Sequence, residues 1–109
     1  TDLKQILKNK KALYDSYKDI FYNDKYCYID DTNEVSANNH WVTNIYLRDK
    51  YQSKHQVLLR YLYKNNIFVR ELWEPMHLLP MYKIMPRSKM TNCVKRWKTG
   101  LSLPSCYYK

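Results

Sequence analysis

Apolar and polar positions alternate with three distinct rhythms along this chain. Leu3, Ile6, Leu7, Leu13, Tyr14, Tyr17, Ile20 and Phe21 recur at three- and four-residue steps with Lys, Asn and Asp between them. That spacing predicts an amphipathic helix over residues 2–21, about 30 Å long, with Thr1 or Asp2 as its cap. Tyr22, Tyr26, Tyr28 and Ile29 predict a short extended piece, and Asp30 to Glu34 a turn or loop. Trp41 to Leu47 is β-branched and aromatic throughout, which predicts a strand. A helix over 50–64 follows, with Tyr51, Leu58, Leu59, Tyr61 and Leu62 on its apolar side. Asn65-Asn66 stops it, since Asn tolerates the left-handed conformation of a helix C-terminus. Ile67 to Leu72 then predicts a second strand, 90–98 a short helix, and Leu101 to Leu103 a last strand stopped by Pro104. The expected class is α+β: a small mostly antiparallel or mixed sheet with helices on one face.

One stretch fits none of these rhythms. Residues 72–82 hold two prolines, Trp73, Tyr82, two methionines and His77 without a single glycine. A loop that only connects elements is built from Gly, Asn, Ser and Asp. This one is apolar and stiff and therefore needs a cover: its own core, another domain, or a ligand.

At 109 residues the chain fits one domain, which buries about 65% of its unfolded surface. The lone glycine, Gly100, excludes a P-loop and a dinucleotide fingerprint, both of which need several. Cys27, Cys93 and Cys106 are widely spaced and read as reduced thiols. His40, His55 and His77 show no zinc spacing. No apolar run is long enough for a transmembrane helix, and no membrane partner is expected. Thr1-Asp2-Leu3-Lys4 lacks the layout of a secretory signal, and an opening Thr suggests a processed or excised piece.

Charge is uneven. Residues 1–38 carry six lysines against seven acids, net −1, whereas residues 39–109 carry thirteen cations against three acids, net +10. Arg87, Lys89, Lys95, Arg96, Lys98, Trp97, Tyr107 and Tyr108 mix cations with aromatics, which suits a nucleic-acid backbone with stacked bases. No RNA- or DNA-binding motif accompanies them. No nucleophile stands in a local catalytic signature. His77 is the best polar candidate, the alternative being an imidazole satisfied by a backbone carbonyl. Trp41 and Trp73 read first as core residues, and Arg70, next to Val69 on a strand, points to the face opposite it.

The run Val69-Arg70-Glu71-Leu72-Trp73-x-Pro75-Met76-His77-x-Leu79-Pro80-Met81-Tyr82-Lys83 resembles the C-terminal domain of the DegT/DnrJ/EryC1/StrS sugar aminotransferases, in the branch that makes 4-amino-deoxysugars. The resemblance extends in order to the leading helix 2–21, to Asn38-Asn39-His40-Trp41, to Asn65-Asn66-Ile67 and to Gly100-Leu101-Ser102-Leu103-Pro104-Ser105. Glu71 stands where proline is usual and Cys106 where a second serine is common. The resemblance implies a pyridoxal-phosphate-dependent transaminase acting on a nucleoside-diphosphate keto-deoxysugar, cytoplasmic and homodimeric when intact, serving cell-surface or secreted glycan synthesis. It implies that residues 1–21 are the leading helix and 22–109 an αβ sandwich, and that the large cofactor-binding domain lies outside this chain. It therefore implies no catalytic lysine here and no cofactor bound by this chain alone. Its substrate-side residues would be Arg70, Trp73, Met76, His77, Pro80 and Met81. Two other readings stand beside it: a small basic nucleic-acid-binding protein, and an interaction module that docks through 72–82.

Overall fold

Asp2 starts the leading helix, its carboxylate accepting the Lys4 amide at 3.0 Å. In the computed structural model, which describes residues 2–30 and 37–106, this helix, α1, spans Leu3–Ile20. Its second half carries most of the contact with the rest of the domain. Tyr14 is buried and Tyr17 and Phe21 are half-buried, while Leu3 is 66% exposed. Three bonds tie the helix down: the Tyr14 hydroxyl to the Asp30 carbonyl, the Tyr17 hydroxyl to the Pro104 carbonyl, and the Lys10 ammonium to the Ser105 carbonyl.

Four short strands form one antiparallel sheet: β1 Cys27–Ile29, β2 Asn44–Leu47, β3 Arg70–Glu71 and β4 Gly100–Ser102, in the order β1-β2-β4-β3. The last strand in the chain is thus inserted between two earlier ones. Side-chain alternation then sorts the faces. Cys27, Ile45, Leu47, Leu101 and Leu103 join Val69 in the core, beneath Tyr17 of α1, Phe21 that caps it, and Leu58, Leu59 and Leu62 of α2 (His55–Lys64). The third helix, α3 (Thr91–Thr99), reaches the other face, where Arg96 stacks 5.0 Å from the Tyr46 ring. The α+β class expected from the sequence is what the chain adopts, with two of its helices on the core face.

The differences lie at element ends and have local causes. The expected strand 41–47 begins only at Asn44. Asn38 and Asn39 each bend the chain with a side-chain acceptor, to the His40 and Trp41 amides at 2.7 and 3.0 Å, and His40 takes a left-handed φ of 49°. The expected strand 67–72 shortens to two residues. Asn66 turns left-handed at φ 59°, as the helix stop required, and the Tyr63 hydroxyl takes the Val69 carbonyl at 2.8 Å. The expected helix 50–64 splits into a 3₁₀ turn, Asp49–Lys54, followed by α2. The expected loop at 31–34 lies outside the described residues.

Burial separates the three free thiols. Cys27 is buried in the core, and burial, aided by Asp24 and opposed by Arg48, pushes its thiol up to about 11. Cys93 and Cys106 are exposed. A disulfide reagent at neutral pH is expected to titrate two thiols quickly and the third only on unfolding. A raised thiol pKa means stability present below the unfolded value and lost as pH climbs through the folded one, and burial raises Tyr17 and Tyr46 in the same direction. Alkaline unfolding should therefore set in between pH 9 and about 11, and a Cys27→Ser chain should show a shallower loss of stability across that window.

Candidate functional site

The loop 72–82 is built without glycine by two successive 3₁₀ turns, Met76–Leu78 and Pro80–Tyr82. The Leu78 amide donates to the Pro75 carbonyl at 2.9 Å, and the Tyr82 amide to the Leu79 carbonyl at 3.0 Å. Pro80 opens the second turn, where its fixed φ is already helical and its missing N–H is not needed. Leu72 packs inward against Gly100 and Pro75 is buried, so both ends of the first segment are anchored. Between them Trp73 stands 84% exposed. Met76 and Met81 are each 64% exposed, Pro80 is exposed, and His77 is half-buried with its imidazole making no hydrogen bond among the described residues. The domain's own core does not cover this loop.

Trp41 lies against Trp73. Their ring centroids are 6.5 Å apart at 55°, and Trp41 is 61% exposed. Both tryptophans read first as core residues, Trp73 also as a substrate-side residue through the resemblance, and both are at the surface. The reason is local: the Asn38-Asn39-His40 bend lifts Trp41 off the ladder, and buried Pro75 turns the chain just after Trp73. Arg70 projects from β3 away from buried Val69, in register with Ser102, whose hydroxyl donates to Asn44 at 2.7 Å. The six substrate-side candidates thus share one exposed connection, from Arg70 on the strand to Met81 in the second turn.

Sequence reasoning gave His55 and Glu71 no role. His55 is buried, and its Nε2 lies 2.9 Å from the Gly100 carbonyl, which makes Nε2–H the donor. Its Nδ1 faces the Glu71 carboxylate at 3.7 Å, beyond hydrogen-bond distance, and that carboxylate accepts the Gln56 amide at 2.6 Å. The glutamate at the usual proline position therefore ties β3 to the start of α2. Glu71, Leu72, Glu74, His55 and Trp97 border a cleft of about 440 Å³ behind the loop. The nearest sequence signal was the departure at Glu71 itself.

The basic segment is less available than its composition suggests. Lys95 pairs with Asp49 at 2.8 Å, and this partner holds the Asp49 carboxyl below its usual range. Arg96 pairs with Asp30 while lying over Tyr46. Among the described residues, Lys98 is the one cation in 95–98 without an acidic partner, and Tyr107 and Tyr108 lie outside the described residues. Among the described residues no three His, Cys, Asp or Glu side chains are grouped to hold a metal ion, and no helix is long and apolar enough to cross a membrane.

A pyridoxal phosphate site needs an enclosed lysine and a donor-lined phosphate cup. Every described lysine is exposed except half-buried Lys10, whose ammonium is engaged by the Ser105 carbonyl. Gly100 is shut in by Leu72 and by the Arg96 carbonyl, so no phosphate can approach its backbone. The described residues of this chain do not fit that cofactor.

Comparison with solved structures shows the fold. The chain superposes on the aminotransferase TlmJ from Streptoalloteichus hindustanus with a TM-score of 0.80 at 12% identity, covering 94% of this chain and 27% of that one. Helicobacter pylori PseC, an aminotransferase involved in the biosynthesis of pseudoaminic acid, matches with a TM-score of 0.72 at 17% identity over 90% of this chain and 27% of its own. DesI, solved in the presence of its TDP-sugar product, matches with a TM-score of 0.72 at 18% identity over 93% and 26%. The chain has the fold of one segment of these three proteins and spans about a quarter of their length. No protein-family model and no curated protein matches it.

Proposed function

We propose that this chain is the small C-terminal domain of a pyridoxal-phosphate-dependent aminotransferase of the DegT/DnrJ/EryC1/StrS type, acting on a nucleoside-diphosphate keto-deoxysugar for glycan synthesis in the cytoplasm. The observation that carries it is the rigid loop from Trp73 to Tyr82, left uncovered on a domain whose fold recurs within aminotransferases. A large domain outside this chain supplies the cover and the cofactor, and the intact enzyme is a homodimer. When bound there, the cofactor provides the electron sink for exchanging an amino and a keto group.

This chain's residues perform the positioning. Trp73, Met76 and Met81 wall the sugar side and exclude water, with Pro80 and Pro75 holding the wall stiff. His77, free to hydrogen-bond, contacts a sugar oxygen. Arg70 meets an anionic part of the substrate, in keeping with the net +10 of residues 39–109.

The test is a chimera in which this chain replaces the corresponding quarter of a nucleotide-sugar aminotransferase. It should turn over keto-sugar, and His77→Ala and Trp73→Ala should each lower kcat/KM by about 10²-fold. A folded, cofactor-loaded chimera indifferent to both changes would overturn the assignment. The 109-residue chain alone, mixed with pyridoxal phosphate and borohydride, should show no saturable labelling at any one lysine.

A further inference from the structure

Trp73 and Trp41 differ from the third tryptophan, Trp97, in being largely exposed while lying against each other. Each is held from its own side. Trp73 follows Leu72, packed at Gly100, and precedes buried Pro75. Trp41 is set by the two Asn-capped bends, and the left-handed His40 before it stacks on buried Tyr14, ring centroids 4.5 Å apart. Two indoles 6.5 Å apart at 55° form an open wedge rather than a closed stack, and the backbone beneath each is anchored before anything binds.

We propose that Trp41 and Trp73 form a platform for the nucleobase of the nucleotide sugar, with Trp41 a substrate-contacting residue beside the motif loop. The proposal rests on the function argued above and names the part of the substrate this surface takes. A planar heteroaromatic ring stacks on one indole with its edge against the other, an interaction open to any base because every base has a π-face. The flanking residues favour a base over a neighbouring domain. Asn39 and His40 adjoin Trp41 and Glu74 adjoins Trp73, groups that can pair with a base edge but are costly in the core of a protein interface, where charged residues are depleted. The positive charge of this half of the chain suits the attached diphosphate.

The experiment follows the three indole N–H signals of the ¹⁵N-labelled chain during separate titrations with uridine diphosphate, thymidine diphosphate, inorganic pyrophosphate and glucose. The nucleotides should shift Trp41 and Trp73 together and leave Trp97 in place, and Trp41→Ala should weaken binding about tenfold while Trp41→Phe retains most of it. Indoles that ignore the nucleotides, or that respond equally to pyrophosphate or glucose, overturn the platform. In the chimera, Trp41→Ala should raise the KM for nucleotide sugar about tenfold and leave kcat near its starting value. An active chimera with unchanged KM removes the platform and leaves the loop's positioning role standing. A folded, cofactor-loaded but inactive chimera removes the aminotransferase assignment, and the titration still decides whether a base binds.

Discussion

Gly100→Ala is expected to destabilise the domain by about 2–3 kcal/mol, a large share of the roughly 5–15 kcal/mol available to a domain of this size. Conformational freedom is not the cause: Gly100 has φ −95° and ψ 147°, extended backbone that any residue adopts. The cause is space. A Cβ would stand 2.8 Å from the Arg96 carbonyl oxygen and 2.9 Å from Leu72 Cγ. Leu72 can give way by changing rotamer, but the helix carbonyl cannot without shifting α3 against the sheet. The position is tight because α3 ends at Thr99 and β4 begins at the next residue, in the middle of the sheet. Urea unfolding should show a lower midpoint at unchanged slope, with a fall in Tm of roughly 10–20 °C. Adding Leu72→Ala should recover only part of the Gly100→Ala loss, since the carbonyl contact persists. A Gly100→Ala chain within about 0.5 kcal/mol of the parent would mean that α3 and β4 separate easily.

The same glycine shows how far a sequence of this kind can be read. Its singularity excluded glycine-built phosphate sites at once, and its place before Leu101-Ser102-Leu103 marked the helix-to-strand step. Composition did not reveal that its missing side chain makes room for Leu72, because that depends on β4 lying between β2 and β3. Elements whose pattern is self-contained were legible: α1 from its three- and four-residue steps, the end of α2 from Asn65-Asn66, and the last strand from Leu101-Ser102-Leu103 before Pro104. Strand lengths were not. Trp41-Val42-Thr43 and Ile67-Phe68 have strong β propensity, but Asn39, left-handed His40 and the Tyr63 hydroxyl take over their backbone geometry or partners. Propensity yields where a local side-chain bond competes for the same group.

The candidate site divides the same way. The stiffness of 72–82 followed from its prolines, and its need of a cover from the absence of ordinary loop residues, but that its own core leaves it exposed came only from the structure. The side-to-side partner of Trp73 could not be read, because residues 41 and 73 are brought together only by the bend at 38–40. The basic segment was legible as charge but not as available charge: Asp49 and Asp30 reach Lys95 and Arg96 from distant parts of the chain.

His55→Ala is the second large effect expected, a loss of about 2–4 kcal/mol. His55 is 8% exposed, and its imidazole crosses from the first turn of α2 to the carbonyl of Gly100 in the central strand β4. Removing it leaves a cavity at the junction of helix and sheet and deprives a buried acceptor of its side-chain donor. His55→Phe separates the two components: a ring of similar volume fills the space, so the remaining loss of about 1–2 kcal/mol reports the missing donor. Glu71→Gln, at a half-exposed position that can still accept from Gln56, should cost less than about 0.5 kcal/mol. Because Glu71 leads straight into Leu72 and Trp73, loosening this junction should also free the loop. Amide hydrogen exchange at Trp73 and Leu78 should quicken in His55→Ala before global unfolding does. Unchanged exchange in a destabilised His55→Ala chain would place the histidine's role in the core alone and detach the loop from it.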